Sequence, residues 1–291
     1  MSIVDDRILI SAEALEAART SDPSLRVFDC TVHLRPDSPR PYRIESGRED
    51  WLEARIPNAG FLDLTGALSD ASGRTAFMMP GASEATAAFG SAGVVDGARI
   101  VLYSSNHPMW ATRVWWMLRS LGVEATVLDG GLAAWRAAGL PVESGAFGHA
   151  PGTLTVAPRP AVWADRAQVL ASIGKGGVCT LNALSPTMYR GEGDRHYGRR
   201  GHISGSVNVP YASLFADDTF RYADAIDLRA RFEAQGALAR PVIAYCGGGI
   251  SATCAAFALT ALGNEEVAVY DGSMAEWVAD PELPLTTGDA P

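Results

Sequence analysis

The sequence predicts an α/β protein built from two similar units, each a mostly parallel sheet with helices on both faces. Three observations carry this. Short apolar runs alternate with helical stretches, as parallel sheets covered by helices require. The 291 residues suit two domains of ordinary size. The second half also repeats the first: Tyr103 and Ser104 stand to Tyr245 and Cys246 as Asp129, Gly130 and Trp135 stand to Asp271, Gly272 and Trp277, all 142 residues apart.

Taken in order, residues 11–19 read as a helix with Ser11 as N-cap and Leu15 on its apolar side. Residues 25–30 read as a strand. Pro36, Pro39 and Pro41 mark a surface excursion bearing Arg35, Arg40 and Arg43, ahead of a helix at 49–53. Residues 56–61 form a turn running into an extended piece, 83–93 a helix capped by Ser83, and 99–103 an apolar strand. A helix at 109–121, a strand at 125–128 and a helix at 132–138 complete a first domain, residues 1–140, that lacks a loop cysteine. Residues 141–160, rich in Gly, Pro and Ala, are expected to be a linker. The second domain, 161–291, then has a helix at 165–173, a strand at 178–181 and an arginine-bearing loop at 185–200. A turn at 201–210 answers to the one at 55–57, before a strand at 241–245 and a helix at 252–262. Trp115, Trp116, Trp135 and Trp277 sit at helical positions and are expected to be packing residues rather than a stacking platform.

Chemistry concentrates in Ala244-Tyr-Cys-Gly-Gly-Gly-Ile-Ser-Ala-Thr-Cys254. A strand delivers Cys246 into Gly247, Gly248 and Gly249, and Ile250 and Ser251 lead into a helix. Glycines there permit φ > 0 and let successive N–H groups converge, an anion nest reinforced by the helix macrodipole. A thiol at that focus is expected to ionise readily, within about the 3.5–7.5 range of cysteines at helix N-termini. Such turns also bind phosphate without cysteine chemistry, and a cysteine can be a small buried hydrophobe, so the motif alone leaves these readings open. A cysteine-loop phosphatase needs an arginine six residues on, where Ala252 stands, and the G-x-G-x-x-G of a dinucleotide loop is missing. What remains fits a small anion or one sulfur atom.

Composition narrows the partners. A net charge of −9 argues against nucleic acid and anionic membrane surfaces. At 47% hydrophobic with no 18-residue apolar run, the chain is expected to be soluble, and without a basic, then apolar, leading segment it is expected to be cytoplasmic. Cys30, Cys179, Cys246 and Cys254 form no C-x-x-C pair, so free thiols and no metal site are expected. Cys254 lies about 12 Å from Cys246 along the helix, beyond disulfide reach.

These residues resemble the rhodanese superfamily, specifically its tandem-domain sulfurtransferases, over nearly the whole chain. Gly201-His-Ile-Ser-Gly-Ser-Val-Asn-Val-Pro210 is similar to the family's G-H-I-x-G-A-x-N-x-P, and Tyr270-Asp-Gly-Ser-x-x-Glu-Trp277 to its closing motif. Arg113-Val-Trp-Trp116 with Leu128-Asp-Gly-Gly131 resembles the inactive first domain. The resemblance implies that Cys246 takes sulfur from a small anionic donor as a persulfide and passes it to a thiol, cyanide or thioredoxin-like acceptor, with no cofactor. The amides of Gly247, Gly248, Gly249, Ile250 and Ser251 would stabilise that persulfide. The neutral loop is similar to those of 3-mercaptopyruvate-type enzymes, whereas thiosulfate-type enzymes carry basic side chains there. The former hold the donor carboxylate with two upstream arginines: Arg195 matches one, Met188 stands at the other, and Arg190 is close by. Gly248, Arg55 and Leu184 depart from that class's serine, histidine and arginine, so no protease-like relay is expected. Ser251 is expected to cap its helix, His202 to anchor its turn, and Arg199 and Arg200 to be solvated. The expectation is therefore a sulfurtransferase favouring 3-mercaptopyruvate, with a thiosulfate sulfurtransferase or a persulfide carrier of little small-molecule turnover as alternatives.

Overall fold

Both expected parallel sheets are present in the computed structural model, which describes residues 7–37, 42–73, 75–216 and 219–291. The first half runs β1 (Leu9–Ile10), α1 (Ala12–Ser21), β2 (Leu25–Asp29), β3 (Val32–Arg35), β4 (Arg43–Ser46), α2 (Arg48–Glu53), β5 (Ala59–Phe61), α3 (Ala82–Ala92), β6 (Arg99–Tyr103), α4 (Met109–Ser120), β7 (Thr126–Leu128) and α5 (Gly131–Ala137). The second runs β8 (Trp163–Ala164), α6 (Arg166–Ser172), β9 (Cys179–Asn182), α7 (Pro186–Tyr189), β10 (His202–Ile203), β11 (Val207–Asn208), β12 (Phe215–Ala216), β13 (Arg221–Tyr222), α8 (Ala225–Glu233), β14 (Val242–Tyr245), α9 (Ala252–Ala261), β15 (Val267–Tyr270), α10 (Ser273–Trp277) and β16 (Leu285–Thr286). The sheets are ordered β1-β7-β6-β2-β5 and β8-β15-β14-β9-β11, with every pairing parallel. Strand for strand these are one topology used twice. The apolar strands β6 and β14 take the same place in each, which explains their continuous rather than alternating hydrophobicity.

Several local readings hold and others need correction. Ser11 caps α1 by accepting from Ala14 N–H at 3.2 Å. Ser83 does not cap α3: the helix begins at Ala82 behind Gly81, which has no side chain to offer, and Ser83 falls inside the first turn. The proline-marked excursion is flanked by an antiparallel hairpin, β3 against β4, with Leu34 opposite Ile44. Pro39, Arg40 and Pro41 lie outside the described residues, as does the chain's start through Asp6. The segment 141–160 holds no strand or α-helix, yet it is strapped to the first half. Glu143 exchanges two main-chain bonds with Arg55, and Ala157 N–H donates to Leu121. The buried Arg55 guanidinium bonds the Gly145 carbonyl and Glu143, so this arginine serves the strap.

The two halves are bolted together across α4 and α9. Thr112 and Thr253 hydroxyls meet at 2.8 Å and the Trp115 ring lies edge-on to Phe257. The four tryptophans are buried, and each indole N–H donates to a carbonyl: Trp115 to Ala125, Trp116 to Val162, Trp135 to Pro141 and Trp277 to Pro284. They are packing residues. The closing aspartates are reciprocal: Asp129 of the first half accepts Tyr222 N–H at 2.9 Å, and Asp271 of the second accepts Met79 N–H at 2.7 Å. Asp271 also pairs with the fully buried Arg113 at 2.6 Å. Asp129 has Ala255 at the position equivalent to Arg113, and burial pushes its carboxyl up to about 6. No described helix is long and apolar enough to cross a membrane.

Candidate active site

The last residue of β14 fixes the site. Tyr245 sends its hydroxyl to Ser206 at 2.7 Å and accepts Ile203 N–H at 3.0 Å, pinning the turn that the sequence places at 201–210. Tyr103 does the same for Ile56 in the first half, at 3.3 Å. The chain then enters Cys246, which is 2% exposed. Cys246 N–H and Gly249 N–H donate to a single oxygen, Ser273 Oγ, at 3.1 and 3.0 Å, and that hydroxyl donates to the Tyr270 carbonyl at 2.8 Å. One hydroxyl thus closes the loop on itself. Ser273 does this from the left-handed region, φ +48°, which costs a non-glycine residue about 1–2 kcal/mol. Gly131 holds the matching position in the first half, φ +55°. Sequence reasoning passed over Ser273; the available signal was that the two halves differ there, and that the cysteine-bearing half takes the costlier residue.

Of the three loop glycines, Gly249 alone has positive φ, +73°, and a Cβ there would lie 2.6 Å from the Asp271 carbonyl oxygen. Its own carbonyl accepts Arg113 Nη1 at 3.2 Å. Gly247 is needed for a different reason, because a Cβ would fall 1.8 Å from the Tyr197 hydroxyl. Gly248 faces open space. Because its amide is spent on Ser273, Gly249 leaves the set of expected persulfide donors. The amides of Gly247, Gly248, Ile250 and Ser251 have no acceptor among the described residues, at the positive end of the ten-residue α9. Ser251 does not cap α9 with its side chain. Its backbone is helical, φ −65° and ψ −19°, rather than the extended form that aims a hydroxyl at the next turn.

All four cysteines are unpaired. Burial pushes the Cys30 and Cys179 thiols up, and Cys254 up to about 12, so these three stay protonated at neutral pH. Around Cys246 stand Tyr42, Tyr197 and Tyr211, whose hydroxyls burial raises and whose ionisation Cys246 further opposes. The expected Arg195 is exposed and close enough to Tyr197 and Tyr211 to act against that rise. Arg190 differs: its guanidinium meets Glu192 at 2.9 Å and Asp289 at 3.6 Å, so its charge is already matched by two carboxylates. Met188 packs half-buried against the core and Leu184 is buried, leaving no second cation at those positions. Arg199 donates to the Asp280 and Leu283 carbonyls at 2.9 Å, and Arg200 to that of Gly193. Both are tied to backbone rather than simply solvated. His202 is buried between the Tyr189 and Ala290 carbonyls and stacks on the Tyr189 ring at 3.6 Å, anchoring its turn. Among the described residues no cluster of His, Cys, Asp and Glu could hold a metal ion.

A model of the rhodanese-like domain matches residues 12–138 and 186–280. The chain belongs to the rhodanese family. A relative from Pseudomonas aeruginosa named "Probable 3-mercaptopyruvate sulfurtransferase" is 34% identical over 290 residues, covering 97% of this chain and 98% of its own. The mitochondrial "Thiosulfate/3-mercaptopyruvate sulfurtransferase 1" of Arabidopsis thaliana is 30% identical over 309 residues, covering 98% and 79%. The crystal structure of SseA from Escherichia coli, a 3-mercaptopyruvate sulfotransferase, is similar with a TM-score of 0.79 at 29% identity, covering 91% of this chain and 98% of that one. The rhodanese unit is therefore present twice, and the second copy places its cysteine where the first has Ser104.

Proposed function

We propose that this rhodanese is a sulfurtransferase in which Cys246 takes sulfur from a small anionic donor as a persulfide, with 3-mercaptopyruvate favoured over thiosulfate. The observation that carries the reading is a loop with no charged side chain, Gly247 to Gly249, beside four amides that have no acceptor among the described residues. Cys246 attacks the donor sulfur as a thiolate. The amides of Gly247, Gly248, Ile250 and Ser251, aided by the end of α9, hold the negative terminal sulfur that results. Arg195 takes the donor carboxylate. A thiol, cyanide or thioredoxin-like acceptor then attacks the outer sulfur and frees Cys246, in the cytoplasm. No cofactor enters this cycle.

Intact mass after incubation with each donor tests the intermediate: one added sulfur atom on the wild type and none on Cys246→Ser, which loses turnover with both donors. A kcat/KM for thiosulfate well above that for 3-mercaptopyruvate would overturn the donor assignment while leaving the persulfide. Met188 and Leu184, apolar where charge was expected, favour a second reading, a carrier that forms the persulfide without small-molecule turnover. That reading requires the added sulfur on Cys246 together with no transfer to cyanide or small thiols.

A further inference from the structure

One group at the loop has no part in the scheme above. The Tyr197 hydroxyl lies against the Gly247 backbone, so close that a Cβ would overlap it. It has no hydrogen-bond partner among the described residues, although the side chain packs half-buried against the core. Two residues earlier on the same loop stands Arg195. Burial, with Cys246, Tyr42 and Tyr211 adding to it, raises the hydroxyl above an ordinary tyrosine, so at neutral pH it is a donor.

We propose that Tyr197 is a catalytic acid of the 3-mercaptopyruvate half-reaction, delivering a proton to the pyruvate enolate as it leaves; the assignment rests on the donor reading above. The Cys246 thiolate attacks the thiol sulfur of the donor, the S–S bond forms, and the C3–S bond breaks. The pair from that bond passes to C3 and is shared with the C2 oxygen as an enolate. Tyr197 gives its proton to the enolate, which becomes pyruvate, and the tyrosinate takes the S–H proton of the new persulfide, a stronger acid than a phenol. Tyr197 is restored, the persulfide is left anionic against the loop amides, and no outside proton is consumed. Thiosulfate needs no such donor, because its leaving group is sulfite.

The test is Tyr197→Phe, which keeps the ring against Gly247 and removes only the hydroxyl. The kcat/KM for 3-mercaptopyruvate is expected to fall about 100-fold, the scale of general acid catalysis, and the 3-mercaptopyruvate to thiosulfate ratio to fall by at least about 30-fold. An equal loss with both donors would make Tyr197 a structural prop for Gly247, and an unchanged ratio with full activity would remove it from the reaction; either overturns the assignment. Wild-type protein without 3-mercaptopyruvate turnover would instead sink the donor reading, and this inference with it.

Discussion

Replacing Ser273 with alanine removes the one acceptor shared by two buried loop amides. The Cys246 and Gly249 N–H groups now bond Ser273 Oγ at 3.1 and 3.0 Å, and each buried amide left without a partner costs about 1–3 kcal/mol. Allowing for partial relaxation, Ser273→Ala should destabilise the protein by about 2–4 kcal/mol, because alanine keeps the left-handed strain and returns nothing for it. Ser273→Gly separates the two effects. Glycine relieves about 1–2 kcal/mol of strain and gives back about 0.5–1 in unfolded-chain entropy, so it should be about 0.5–1 kcal/mol less damaging than alanine. Urea denaturation read from midpoints at constant slope measures both, and persulfide formation should slow in each variant as the loop loses its clasp. A loss below about 0.5 kcal/mol for Ser273→Ala with unchanged persulfide formation, or a glycine variant weaker than the alanine one, would refute the account.

Gly248→Ala should leave activity within about threefold of wild type, since its Cβ meets open space, whereas Gly249→Ala should cost at least about 2 kcal/mol from φ +73° and the 2.6 Å approach to Asp271; paired urea melts and donor kinetics check the contrast. Arg113→Met strips Asp271 of its cation and the Gly249 carbonyl of a donor; a loss of about 3–5 kcal/mol is expected for breaking so buried a pair, read by denaturation alongside slower turnover. Asp129 has a folded pKa of about 6, above that of an unfolded aspartate, about 3.9. The native state therefore holds an extra proton between those values, and this group's contribution to stability falls as pH rises through that window and stays low above it. Asp129→Asn keeps an acceptor for Tyr222 N–H and should raise stability by up to about 2 kcal/mol at pH 7.5 and hardly at all near pH 4; a gain that is the same at both pH values would exclude this cause.

Much of the fold was legible because burial on both faces makes β6 and β14 read as unbroken apolar runs, and because tyrosine, aspartate and tryptophan recur at one spacing. The hairpin of β3 and β4 was not, since prolines between its strands carry a stronger local signal than the four-residue alternations flanking them. Cys246 and its glycines could be picked out as a motif, but the division of labour within the loop could not. Whether Gly249 donates to a ligand or to Ser273 depends on a residue 24 positions away that arrives only when α10 packs. Tyr197 was hidden likewise: nothing in a polar, glycine-rich loop marks which side chain folds back against Gly247. Arg190 lies in the same arginine-bearing loop as Arg195, and Asp289, at the far end of the chain, joins Glu192 in tying it down.

The crossed aspartates make the cysteine-free half a mechanical component rather than a spare copy. If the chain were cut between the sheets, the half holding Cys246 would lose Arg113 and with it the brace behind Gly249, while the other half would be left with the Asp129 carboxylate facing solvent instead of Tyr222. A fragment made of the second half alone would carry every reactive atom and still present its sulfur on a slackened hoop. Mixing the two fragments should restore what neither holds by itself.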